Sequence, residues 1–168
     1  MRIVACDPGH PDALALMDEL SAALASITGA SGASSFAVED ARVARSLFVL
    51  AKADDGALLG CAALRPLYGE VGEVKRMFAR PGTRGVGQAL LRHIEAEASA
   101  LGYAALWLET RRVNTRAVAF YCRHGYEPIA NYGKYVGRAE AICLGKRLGG
   151  APGGRVMGPN PHPLADFL

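Results

Sequence analysis

The chain has 168 residues, of which 51% are hydrophobic, and a formal net charge of +3. That length and apolar content suit one domain with its own core, and the small charge argues against nucleic acid as a partner. No apolar run approaches the roughly 18 residues needed to cross a bilayer. The opening MRIVACDPGH has neither an apolar signal segment nor a small-residue cleavage site, so the expectation is a cytoplasmic protein with no membrane partner.

In chain order, RIVAC (2–6) reads as a short strand bounded by DPGHP. The next stretch places Ala13, Leu16, Leu20, Leu24 and Ile27 at spacings of three and four, which predicts one buried helix face. TGASGASSF is a loop, and VEDARVARS is predicted as a short second helix. Two β-rich runs flank Asp54-Asp55-Gly56, a hairpin signal, and EVKRMFAR follows a turn at Tyr68-Gly69. Together these predict an antiparallel meander over 46–79. RGVGQALLRHIEAEA then gives a helix with Leu91, Ile94, Ala98 and Leu101 on its buried stripe and Gly102 at its C-terminal stop. YAALWLET reads as a buried strand, so strand 72–79, helix and strand 104–109 make a βαβ unit. Asn114 caps a further helix that stops at Gly125, and EAICLGKRL is the last strand.

The domain is therefore expected over 1–147. The final twenty residues hold five glycines and four prolines, and 148–168 is expected to be a tail. Cys6, Cys61, Cys122 and Cys143 show no CxxC spacing and the four histidines are dispersed, so neither a disulfide framework nor a metal site is expected.

The chemistry concentrates in RPGTRGVGQALL. Amides of about residues 83–89 open a helix, where unpaired donors and the helix dipole favour a phosphate. Gly85 and Gly87 allow close backbone approach. A nucleoside-triphosphate loop is excluded, because no lysine follows Gly87. A dinucleotide site has two of its glycines and an acid, Glu109, but Leu90 stands at the third glycine position and an antiparallel meander precedes the unit. Coenzyme A is the remaining reading.

The order of meander, EVKRMFARP, RGVGQALL, WLET and NTRAVAFYCRHGYEPI resembles the GCN5-related N-acetyltransferases. Arg84-Gly85-Val86-Gly87-Gln88-Ala89 satisfies that family's [QR]xxGx[GA] pyrophosphate motif. Aligned by the helix instead, Gly85 and Gly87 become its two small residues and Gly82 replaces its Gln/Arg. Asn114, Ala117, Tyr121, Gly125 and Tyr126 complete its second signature, N…A…Y…G[FY]. The resemblance covers about residues 2–147.

The resemblance implies an α/β fold with a single mixed, mostly antiparallel sheet, flanking helices and a central βαβ coenzyme-binding unit. It also implies acetyl-CoA as cosubstrate, no metal, a small-molecule or peptide amine as acceptor, direct transfer in a ternary complex, and an architecture compatible with a homodimer. The backbone of Met77, Phe78 and Ala79 would pair with pantetheine and supply an oxyanion donor. Arg84, Gly85, Val86, Gly87, Gln88 and Ala89 would hold the pyrophosphate, with Asn114 on the cofactor arm. Arg80 would reach a phosphate.

An acceptor ammonium of pKa ~10.4 costs roughly 4.6 kcal/mol to deprotonate at neutral pH, so the base matters most. Glu73 is the candidate base, with Glu70 and Glu109 as rivals, and Tyr121 the candidate acid. Tyr132 and Tyr135 are candidates to line the amine site. Two other readings remain open: a module that binds acyl-CoA without turnover, and a dinucleotide-binding protein.

Overall fold

A computed structural model describes residues 1–149. Its seven strands are β1 (Arg2–Ala5), β2 (Leu47–Lys52), β3 (Leu58–Tyr68), β4 (Val71–Ala79), β5 (Ala105–Arg111), β6 (Glu127–Ile129) and β7 (Ala141–Arg147). They form one sheet in the order β1-β2-β3-β4-β5-β7-β6. Every neighbouring pair is antiparallel except β4 and β5, which are parallel. Three helices flank it: α1 (Pro11–Thr28), α2 (Val86–Ala100) and α3 (Thr115–Arg123). The expected mixed, mostly antiparallel sheet with a central βαβ unit is thus the architecture of the chain.

The period of two along β2 and β3 sorts their side chains onto opposite faces. Phe48, Leu50, Cys61 and Ala63 meet Ala13, Leu16 and Met17 of α1. Their alternates, Val49, Ala51, Ala62 and Leu64, meet Val86, Leu90, Leu91 and Ile94 of α2. Helices on both faces explain why these strands read as unbroken apolar runs in the sequence.

Several local expectations need correction. Ile27 is 52% exposed, since the last turn of α1 does not lie on the sheet. VEDARVARS forms only a 3₁₀ turn over Val38–Ala41. Further along the same stretch Arg45 takes a left-handed backbone (φ 61), which a continuing helix does not allow. The Arg45 guanidinium donates to Leu101 O and Gly69 O and stacks 4.0 Å over the Tyr103 ring, so tertiary contacts override helix propensity. Strand β6 and a 3₁₀ turn at Gly133–Tyr135 had no sequence signal strong enough to predict them. The tail expected over 148–168 lies outside the described residues from position 150 on, while Leu148 still donates its amide to Ala104 O.

Two features open the sheet. The parallel ladder between β4 and β5 runs only through Val71↔Ala105, Gly72↔Leu106 and Glu73↔Trp107. Both strands continue beyond it and part. On the other side of β4, the register with β3 shifts between Cys61 and Ala63, and Arg76 adopts φ 50, a bulge that bends β4 away from β5.

Close packing of α2 on β3 depends on Gly60. A Cβ there would stand 2.3 Å from Phe78 O and 3.1 Å from the Val86 and Leu90 side chains. Gly60→Ala is therefore expected to lower stability by about 1–3 kcal/mol in urea denaturation. An unchanged midpoint would show that the helix and β4 can shift freely.

Candidate active site

The parting strands enclose a cavity of about 290 Å³. Val74–Met77 of β4 and Leu108–Arg111 of β5 form its walls, Asn114, Ala117 and Tyr121 close the α3 side, and Lys134, Tyr135 and Arg138 close the other. Leu20, Leu24 and Thr28 of α1 roof it. The expected site residues Asn114 and Tyr121 and the rival Glu109 are brought together here.

The glycine turn lies at the start of α2. Gly85 is the N-cap with φ 72, a conformation that favours glycine, and makes no side-chain cap. The first bond back into the turn is Ala89 N to Gly85 O, so the amides of Val86, Gly87 and Gln88 precede helical pairing and remain donors for an anion. A Cβ on Gly87 would meet the Phe120 ring at 3.4 Å and Ala79 Cβ at 4.0 Å, so α3 and the end of β4 both crowd this turn. Met77, Phe78 and Ala79 lie on the stretch of β4 that has left β5.

Arg84 is exposed beside the turn. Arg80 precedes the turn, and its guanidinium is bound elsewhere. It donates to both Glu19 oxygens of α1 (2.6 and 3.0 Å) and to Leu58 O, so it is engaged on α1 and β3, where a phosphate contact was expected from the sequence. Arg76 likewise donates to Met17 O and Ser21 Oγ of α1. Asn114 caps α3, its Oδ1 accepting from Ala117 N at 3.3 Å.

The three candidate carboxylates fall into different environments. Glu70 is exposed at the β3–β4 turn, outside the residues that line the cavity. Glu73 is 1% exposed and fully engaged. Its Oε1 accepts from the Arg65 guanidinium at 2.7 and 2.8 Å, and its Oε2 accepts from the Tyr132 hydroxyl at 2.6 Å. Asp40 holds the other side of Arg65 at 2.6 Å. Glu73 lines a second, adjoining cavity of about 440 Å³.

Glu109 is the opposite case. Its side chain is 12% exposed, and its Oε1 is buried without a hydrogen bond. The nearest cation is Arg111 Nη1 at 3.5 Å, itself buried without a hydrogen bond. Burial pushes the Glu109 carboxyl above the usual carboxylate range; the Arg111 and Lys75 charges oppose this and the Glu73 charge adds to it.

Tyr121 is buried, and burial pushes its phenol well above its ordinary value, so it stays protonated. The Lys75 ammonium donates to the Tyr135 hydroxyl at 3.0 Å and stands 4.0 Å from Glu73; burial lowers its pKa against the pull of that carboxylate. Tyr132 and Tyr135, candidates for the amine site, are therefore hydrogen-bonded to charged groups, and their rings pack perpendicular at 5.6 Å. Arg65 and Asp40 were not legible as site residues. Arg65 looked like any charge interrupting an apolar strand, and only the fold pairs it with Glu73.

Among the described residues no group of three His, Cys, Asp or Glu side chains is placed to hold a metal ion, and no helix is long and apolar enough to cross a membrane.

Removing one partner of a buried ion pair strands the other charge, at a cost of roughly 3–5 kcal/mol. Arg65→Met is expected to destabilise the chain on that scale, and Tyr132→Phe by about 1–2 kcal/mol. Denaturant titration checks both; equal, negligible losses would mean that Glu73 is solvated.

The acetyltransferase (GNAT) family model matches residues 15–126. The IAA acetyltransferase of Azospirillum brasilense is 41% identical over 83 residues, which take in 48% of this chain and 54% of that protein, so the match spans about half of its length. An acetyltransferase from Streptococcus agalactiae 2603 has the same fold at 19% identity, with a TM-score of 0.73 over 88% of this chain and 98% of its own. An aminoglycoside 6'-N-acetyltransferase complexed with coenzyme A gives 0.65 at 19% identity, over 91% and 100% of the two chains. With the match spanning two thirds of the sequence and the fold shared along most of it, the chain belongs to the acetyltransferase (GNAT) family.

Proposed function

We propose that this chain moves an acetyl group from acetyl-CoA directly to a primary amine of a small molecule or peptide. One observation carries the reading. The cavity between the parted strands holds a buried carboxylate oxygen with no hydrogen bond, and α3, which lines it through Ala117 and Tyr121, also packs through Phe120 on the Gly87 turn with its free amides. In the solved structure of the aminoglycoside 6'-N-acetyltransferase, coenzyme A is bound to the same fold.

In this reading the turn from Arg84 to Ala89 takes the pyrophosphate through the free amides of Val86, Gly87 and Gln88. The freed edge of β4 at Met77, Phe78 and Ala79 pairs with pantetheine as a neighbouring strand would, and one of these amides donates to the thioester oxygen. Asn114 contacts the cofactor arm. Glu109 is the better-supported base, because Glu73 spends both oxygens on Arg65 and Tyr132. The amine nitrogen attacks the thioester carbon, its proton passes to Glu109, and the bond to sulfur breaks. Burial raises the Glu109 pKa toward that of the ammonium it must deprotonate, which narrows the gap in driving force. A thiol of pKa ~8.5 loses its proton more readily than a phenol, so Tyr121 serves the departing sulfur chiefly as a hydrogen-bond donor. Glu73 fixes Tyr132 beside the acceptor.

Thermal unfolding with acetyl-CoA at a hundred times its Kd is expected to show ~2.7 kcal/mol of stabilisation, about 5 to 11 °C for a domain of this size. Stabilisation without turnover of any amine would favour an acyl-CoA-binding module. A response to NAD alone would favour a dinucleotide site.

Glu109→Gln is expected to lower kcat by about 10²–10⁴-fold. Because a base works only when deprotonated, wild-type activity should rise with pH through a limb lying above the ordinary carboxylate range. That limb should vanish in Glu109→Gln. Its survival there, together with its loss in Glu73→Gln, would return the role to Glu73.

A further inference from the structure

The cavity is strongly cationic for a site that must receive an amine. Lys75, Arg76, Arg111, Lys134 and Arg138 line it, against Glu109 alone. Arg76 is spent on α1, and the Lys75 ammonium is engaged by Tyr135 and Glu73. Arg111 and Lys134 are not, and Arg138 is engaged only in part. Arg111 Nη1 is buried without a hydrogen bond. It stands 3.5 Å from Glu109 and 3.6 Å from Glu140, beyond good hydrogen-bond length in both cases. The Lys134 ammonium makes no hydrogen bond or ion pair among the described residues; it stands 5.7 Å from the Tyr135 ring, and its charge acts on Glu109 and Lys75. The Arg138 guanidinium donates through Nε to Lys134 O at 2.9 Å and reaches a carboxylate only at 3.9 Å, on Glu140, which is 55% exposed.

Lys134 does not belong to the coenzyme end. Lys134 and Tyr135 line both cavities, and the second cavity contains no residue of α2 or α3. Lys134 therefore faces the side from which an acceptor would enter, with Arg111 in the first cavity beside Glu109. A buried guanidinium nitrogen without an acceptor leaves unspent binding energy that only an incoming anionic oxygen recovers.

We infer that the acceptor is an amine carrying an anionic group a few bonds away, an amino-acid-like zwitterion whose carboxylate is held by Arg111 and Lys134 while its amine lies at Glu109. The inference rests on the acetyl-transfer reading and adds the acceptor class to it. The same four cations, Lys75, Arg111, Lys134 and Arg138, repel a polycationic amine, so selectivity has an attractive and a repulsive part.

The test follows thiol release from acetyl-CoA by the full chain, with products confirmed by mass. The acceptors are the free L-amino acids, their matching C-terminal amides, O-phosphoethanolamine and spermidine. For the best skeleton, kcat/KM for the acid is expected to exceed that for its amide by at least tenfold. The amide has the less basic amine, so intrinsic reactivity works against this result. Spermidine should be poorest. Turnover of O-phosphoethanolamine above the acids would mean that phosphate, not carboxylate, is the anion recognised.

Lys134→Ala, an exposed position, should shrink the acid-to-amide ratio about tenfold through KM, the scale of one charge-assisted hydrogen bond. Amides or spermidine used as well as the acids, or an unchanged ratio in Lys134→Ala, overturns the inference and leaves acetyl transfer standing. Acetyl-CoA binding without acetylation of any member overturns both.

Discussion

The structure depends on a parallel pair of strands that stays paired for three residues and then parts. A backbone group removed from water needs a hydrogen-bond partner, so two diverging central strands leave donors and acceptors to be satisfied by something else. The bulge at Arg76 drives the divergence, and the packing around it makes the bulge affordable. Its guanidinium reaches across to α1, where Met17 O and Ser21 Oγ accept from it. The arginine that bends the strand thus also pins the helix that roofs the resulting cavity.

Around that gap the chain sets two carboxylates to opposite purposes through their surroundings alone. Glu73 has its charge answered by Arg65 and its second oxygen by Tyr132, and Asp40 buttresses Arg65 in turn. Glu109, two residues beyond the Trp107 that faces Glu73 across the ladder, keeps one oxygen without a hydrogen bond. Buried carboxylates of these two kinds behave differently. A fully bonded one rigidifies its neighbours, and one left with free capacity holds a raised pKa and can accept a proton.

The arginines near the glycine turn show how the fold distributes charge. Arg80 lies close to it in sequence, yet its fork closes on Glu19 and Leu58 O. In the proposed acetyl-CoA reading, phosphate recognition at this turn falls mainly to the backbone amides and the dipole of α2, with Arg84 exposed beside them. Cationic side chains are instead concentrated on the far side of the cavity, where Lys134 and Arg138 come from the segment between β6 and β7.

The sequence by itself determined the elements and the family they belong to. Hydrophobic periodicity specified α1, α2 and the meander, and Asn114 and Gly102 marked helix ends because capping and left-handed backbone are local demands. The glycine turn was legible for the same reason, since a left-handed Gly85 opening a helix and leaving consecutive amides free is a local feature. Local signals misled where long-range contacts prevailed: Arg45 broke an expected helix by binding Leu101 O and Gly69 O, and Arg80 turned to α1. Tertiary structure alone decided which carboxylate is engaged and which keeps a free oxygen. Arg65, Glu73 and Tyr132 are separated by 8 and 59 positions, and no periodicity of one chain segment encodes an ion pair closed between three of them.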